Sequence, residues 1–155
     1  YALVLRAAHH QVVYSGDCRP SESLIAAAKS QREGLECWLI HEATFDAEEF
    51  EHACAKCHST VQEACSVAKQ MEVRGVILTH FSQRYPSMNL GCTGAADDEE
   101  AMLVAAAFDG LRVALSRPQF AALAAATRPC EEYWRLRHER AEREKNIPEP
   151  RQPIP

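Results

Sequence analysis

A chain of 155 residues with a formal net charge of −5 is long enough for one ordinary domain with a core, and it shows no broad basic surface. A free-standing nucleic-acid-binding module therefore fits poorly, because nucleic acid would need a local basic patch or help from another segment. No apolar run reaches membrane-spanning length, so no membrane partner is expected.

Tyr1 to Arg6 has no initiator Met and reads as a strand that begins in mid-fold, not as a signal peptide. Tyr1 to Ala7 and Gln11 to Tyr14 are short β-rich runs around His9 and His10, as in a hairpin. Gly16 permits a tight turn into Asp17. Pro20 opens a helix capped by Ser21 or Asp17, with Leu24, Ile25 and Ala28 at helical spacing and Gly34 at its end. Leu35 to Ile40 is a strand buried on both faces. Asp46 starts the next helix, with Glu49 completing a capping box and Cys54 and Cys57 in the last turn. Ser59 or Thr60 caps the helix after it, paired with Gln62 or Glu63. Val61, Ala64, Cys65 and Ala68 form that helix's apolar stripe. Gly75 turns into the strand Val76 to Thr79.

The second part is harder to read. Pro86 to Glu100 is a loop ending in the acidic cluster Asp97 to Glu100. Ala101 to Phe108 reads as helix, and Asp109-Gly110 turns into a last strand, Leu111 to Leu115. A short Ala-rich helix over Gln119 to Ala126 precedes a charged, exposed helix from Cys130 to Lys145. Four prolines end the chain after Asn146. The pattern divides into an α/β part, residues 1–117, and a charged helical extension with a Pro-rich tail, residues 118–155.

Polar residues stand where strands should end. They are Asp17 after Tyr14, His41-Glu42 after Ile40, and His80 after Thr79, with His58 before a helix. A carboxylate and imidazoles at strand-to-helix junctions point to a metal-dependent hydrolase. Each also has a plainer reading. Asp17 is a metal-bridging carboxylate or a helix cap. His80 is a zinc ligand or a polar residue beside the core. Glu42 either orients His58 as a proton donor or caps the helix after Thr44, leaving His58 solvated. Seven cysteines, an odd number at irregular spacing, suggest free thiols in a reducing compartment. Cys54-Ala-Lys-Cys57 lacks a second pair, so a structural zinc is not expected there.

Four pieces narrow these alternatives: Tyr14-Ser-Gly-Asp17-Cys-Arg-Pro20, Leu39-Ile-His41-Glu-Ala-Thr44, His58-Ser-Thr60 and Leu78-Thr-His80-Phe-Ser-Gln-Arg-Tyr85. In this order and spacing they resemble the C-terminal half of a long-form tRNase Z, the zinc endonuclease of the metallo-β-lactamase superfamily that trims tRNA 3′ ends. The resemblance covers most of the chain and is weak over Pro86 to Glu100 and after Lys145. It implies a portion of an αββα sandwich that is incomplete without an N-terminal segment. It implies Asp17 and His80 as ligands in a two-zinc site and His58 as proton donor, with Glu42 in the supporting loop. Ser82 and Arg84 become phosphate-contacting residues, since a guanidinium fork matches a phosphate. Precursor tRNA is then the substrate, and the compartment nucleus or mitochondrion.

The family's His-x-His-x-Asp-His segment is absent here, and His9-His10 lacks its spacing. The expected partner is therefore the N-terminal portion of the same enzyme, or a complementary chain. The rival readings are another hydrolase of the superfamily and a non-catalytic structural subunit of an RNA–protein assembly.

Overall fold

The structure, a computed structural model, describes residues 1–82 and 101–145. Five strands form one sheet in the order β1-β2-β3-β4-β5. β1 (Leu3–Ala7) and β2 (His10–Tyr14) make an antiparallel hairpin. β2, β3 (Glu36–Glu42), β4 (Gly75–Thr79) and β5 (Leu103–Ala106) run parallel. In register, Tyr14 faces Ile40 and Glu42 faces Thr79. The carboxyl ends of β3 and β4 thus lie level, with β2 ending two residues short of them, on the side where open parallel sheets place their ligand sites.

The sheet is covered unequally. α1 (Glu22–Lys29) and α3 (Val61–Met71) lie on one face, where Val13, Leu24, Leu39, Met71, Val76, Leu78 and Val104 form a dry cluster. Thr60 caps α3 with a complete capping box to Glu63. Arg6 reaches the Ser30 carbonyl (2.8 Å), and buried Gln11 reaches that of Ala28 (2.7 Å), so the hairpin satisfies the end of α1. On the other face Trp38, Ile77, Leu103 and Ala105 receive Phe120 of α4 (Arg117–Lys145). The Trp38 and Phe120 rings lie 4.8 Å apart. Gly75 makes room for that ring: a Cβ there would stand 2.7 Å from Phe120 Cε1. None of the helices among the described residues is long and apolar enough to cross a membrane.

Several sequence expectations need correction. Ala101 to Phe108 is not a helix; Leu103–Ala106 is β5, with all four residues buried. β4 offers an open row of backbone donors and acceptors, and pairing with them outweighs the helical preference of alanine. Leu111 to Leu115 carries no strand, because β5 already occupies that side of β4. The two expected C-terminal helices are one continuous α4. Asp46 accepts from Ala47 N (2.7 Å) and heads a 3-10 turn, Ala47–Glu49, before α2 (Phe50–Lys56). Glu49 turns to His52 instead of closing a capping box. Cys18, Cys37, Cys54 and Cys57 are free thiols, whereas Cys65 is disulfide-bonded, against the expectation for a wholly reduced chain. The loop expected over Pro86 to Glu100 and the Pro-rich tail lie outside the described residues.

Candidate metal centre

The loop after β2 begins by extending the sheet: Ser15 N donates to Ile40 O (3.0 Å). Gly16 then takes φ +61°, and a Cβ on it would meet the Tyr1 carbonyl oxygen at 2.5 Å. Only glycine suits that turn, and it delivers Asp17 half-exposed above the sheet edge. Cys18, next to it, has its thiol pushed up by burial and by the Glu42 carboxylate.

Glu42 is the centre of the arrangement. It sits at the end of β3 and is buried. Its carboxylate accepts from five donors: Cys18 N (3.0 Å), Ser59 N (3.0 Å), Thr44 N (3.1 Å), Thr44 Oγ1 (2.8 Å) and His58 Nδ1 (2.9 Å). Ser59 Oγ donates to Cys18 O (2.6 Å), and Ser15 Oγ accepts from Glu42 N (3.1 Å). One carboxylate thus joins the loop after β2, the loop after β3 and the entry to α3. A buried carboxylate is satisfied only by this kind of donor set.

Glu42 also sets a tautomer. His58 Nδ1–H donates to it, so His58 Nε2 is the free ring nitrogen. Thr44 Oγ1 spends its proton on Glu42 and accepts from His80 Nδ1–H (2.7 Å), leaving His80 Nε2 free in turn. His80 holds φ +61°, a left-handed backbone uncommon for a non-glycine residue. The His58 and His80 rings stack with centroids 5.2 Å apart.

His80 Nε2 stands 3.7 Å from Asp17 Oδ2, too far for a hydrogen bond. A zinc ion sits about 2.0–2.2 Å from nitrogen and oxygen ligands, so one ion fits between these two atoms. One ligand atom each from Asp17, His58 and His80 lies within 4.8 Å of the others. No other His, Cys, Asp or Glu among the described residues joins them. Asp17 and His80, one carboxylate and one imidazole with Nε2 free, suit zinc and fill part of a coordination shell, with the His58 ring beside them.

Asp17, Glu42, His58 and His80, singled out from the sequence, therefore come together. Ser82 lies beside them, its N–H on Thr44 O (3.1 Å). Arg84 lies outside the described residues. His41 does not join: it is wholly buried, its Nδ1 is bonded to Glu42 O (2.7 Å), and its Nε2 meets no partner. Burial pushes its imidazole below the ordinary value. Alternation along β3 turns it away from the side that Glu42 faces. Cys54 and Cys57 are exposed and do not belong to the group. Sequence reasoning gives no role to Thr44 or Arg19, and it offers Ser59 only as a helix cap, a part that Thr60 takes. For Thr44 and Ser59 the available signal was position, each beside or between residues already singled out.

Residues 1–81 match the family model for the beta-lactamase superfamily domain. The chain is 42% identical over 106 residues to Ribonuclease Z 1 of Schizosaccharomyces pombe, an alignment covering 68% of this chain and 12% of that protein. It is 38% identical over 118 residues to the mitochondrial Ribonuclease Z of Drosophila melanogaster, covering 74% of this chain and 14% of that protein. It is similar in structure to a long-form RNase Z from yeast, with a TM-score of 0.65 and 29% identity, over 95% of this chain and 19% of that one. The chain thus spans a small part of the length of each.

Proposed function

The chain belongs to the beta-lactamase superfamily, and on that premise we propose that it is the C-terminal portion of a zinc-dependent phosphodiesterase that removes the 3′ trailer from precursor tRNA. The carrying observation is the Glu42–His58 contact (2.9 Å) beside the Asp17–His80 pair (3.7 Å). The likeness to ribonucleases Z over most of the chain supports the choice of substrate. Activity requires the histidine-rich segment that these 155 residues do not contain. The expected compartment is nuclear or mitochondrial, the second supported by the mitochondrial Drosophila relative.

Asp17 and His80 would hold zinc, with two ions in the complete site. Bound zinc supplies Lewis-acid polarisation of the phosphoryl group and activation of water. The chain's own residues do the rest. Glu42 fixes the His58 ring through Nδ1–H and leaves Nε2 toward the reacting side. As water attacks phosphorus and the P–O3′ bond breaks, His58 acts in its imidazolium form: with Nδ1–H still held by Glu42, the second proton, on Nε2, passes to the leaving 3′ oxygen, and the attacking water releases its own proton to solvent. The products are a tRNA with a 3′-hydroxyl and a trailer with a 5′-phosphate. Ser82 and Arg84 position the scissile phosphate, Arg84 through its planar fork.

The test is cleavage of a 3′-extended precursor tRNA by the full-length protein. His58→Ala should keep zinc content and tRNA affinity while lowering single-turnover cleavage about 10²-fold or more. Arg84→Ala should weaken capture of the phosphate. A parent protein that binds precursor tRNA without cutting it would favour the structural-subunit reading. A parental cleavage rate in His58→Ala would remove the proton-donor role.

A further inference from the structure

Arg19 is two residues past Asp17 and lies outside the ligand group. Its side chain is 28% exposed, and both terminal nitrogens of its guanidinium are engaged. Nη1 donates to the backbone carbonyl of His58 (2.7 Å) and to Glu63 Oε2 (2.8 Å). Nη2 donates to Glu63 Oε1. The guanidinium carbon also sits 5.3 Å from the centre of the Phe50 ring on α2. Glu63 in turn accepts from Thr60 N (3.0 Å) in the capping box of α3.

Arg19 thereby meets His58 at its backbone carbonyl. His58 ends the turn that closes α2: its N–H donates to Ala53 O (3.0 Å), following Cys57 in a left-handed cap. Among the described residues, the Arg19 guanidinium is the donor to its carbonyl. The ring is held by Glu42 and the backbone by Arg19, from two different loops. A planar fork suits this task, since it bridges a carbonyl and a carboxylate at once in one fixed geometry.

We propose that Arg19 is a positioning residue for proton transfer, fixing the backbone of His58 so that Nε2 stays at the distance from Asp17 and His80 that the reaction needs. This rests on the function proposed above. It adds that the Asp17 loop aligns the proton donor as well as the metal. Arg19 itself is outside the ligand group.

The test uses the full-length protein and a two-by-two cycle of Arg19→Met and His58→Ala. Arg19→Met should lower kcat about 10–100-fold, the scale of lost outer-shell partners, with KM and zinc content close to parental. In the His58→Ala background the same change should cost nothing further, because its effect runs through that residue. Arg19→Lys should recover part of the rate, having one donor in place of a fork. An additive loss in the double variant would overturn the proposal. So would a loss seen only in KM or zinc content.

The crystal structure of Arg19→Met provides a readout that needs no activity. The His58 carbonyl and ring should be displaced relative to Asp17 and His80, with Glu42 in place. An unmoved His58 would overturn the proposal even if the parent protein does not cut tRNA. An inactive parent with His58 displaced by Arg19→Met would sink the function and leave the positioning intact.

Discussion

His41 and Glu42 are neighbours on one strand with opposite fates, and the difference is testable. His41 is held neutral by burial, so the unfolded chain takes up a proton on this ring before the folded chain does. The stability linked to it is complete above about pH 6.5, the unfolded value, and is lost as pH falls below that toward the folded value. Thermal unfolding of the metal-free protein should therefore show an acid slope starting near pH 6.5 that is shallower in His41→Gln. Equal slopes in parent and variant would mean another group drives the loss. Gly16 gives a second expectation. Gly16→Ala forces a methyl onto the Tyr1 carbonyl at a left-handed position and should destabilise by about 1–3 kcal/mol, read by denaturant unfolding. Zinc affinity should fall with it, since Asp17 is the next residue.

At the scale of elements, docking of α4 hangs on a few side chains near its start. Phe120 is fully buried against Trp38, and Thr127 Oγ1 accepts from Ala106 N (3.2 Å) at the end of β5. Phe120→Ala should cost about 3–5 kcal/mol in unfolding free energy through the cavity it leaves. The helices and strands before Thr79 were readable because local signals agreed with the sheet they join. Ser21, and Thr60 with Glu63, are caps, with Pro20 standing just before the first cap and not opening the helix as expected, and the runs before Ile40 and Thr79 are apolar and short. The signals after residue 100 conflict. Leu103-Val-Ala-Ala106 has no alternation and is rich in alanine, and nothing local says that the edge of β4 is open beside it. At the site, the likeness of short motifs singled out Asp17, His58 and His80. The hub role of Glu42 and the bonds of Arg19 depend on three loops meeting in space, which spacing along the chain does not encode.

The whole molecule is finished on one face and open at one side. Beyond the hairpin, β1 is an edge strand, and Leu3 and Leu5 are more than half exposed. An edge of that kind templates association. The 155-residue chain expressed alone should therefore self-associate, and Leu5→Lys should shift it toward monomer in sedimentation at equal concentration. A monomeric parent would show that the edge is protected without a partner.

The level strand ends also govern which length changes the chain can survive over generations. A residue gained or lost inside β3 exchanges the faces of every side chain beyond it. Glu42 would then point into the helix-covered core, and His41 toward Asp17 and His80. Five donors would lose their acceptor in one step, with no single substitution able to restore it. Length variation among descendants of this sequence should therefore gather after α1, before β3 begins, and in the distal half of α4. The interval from Glu36 to Thr44 should keep its length even where its side chains drift.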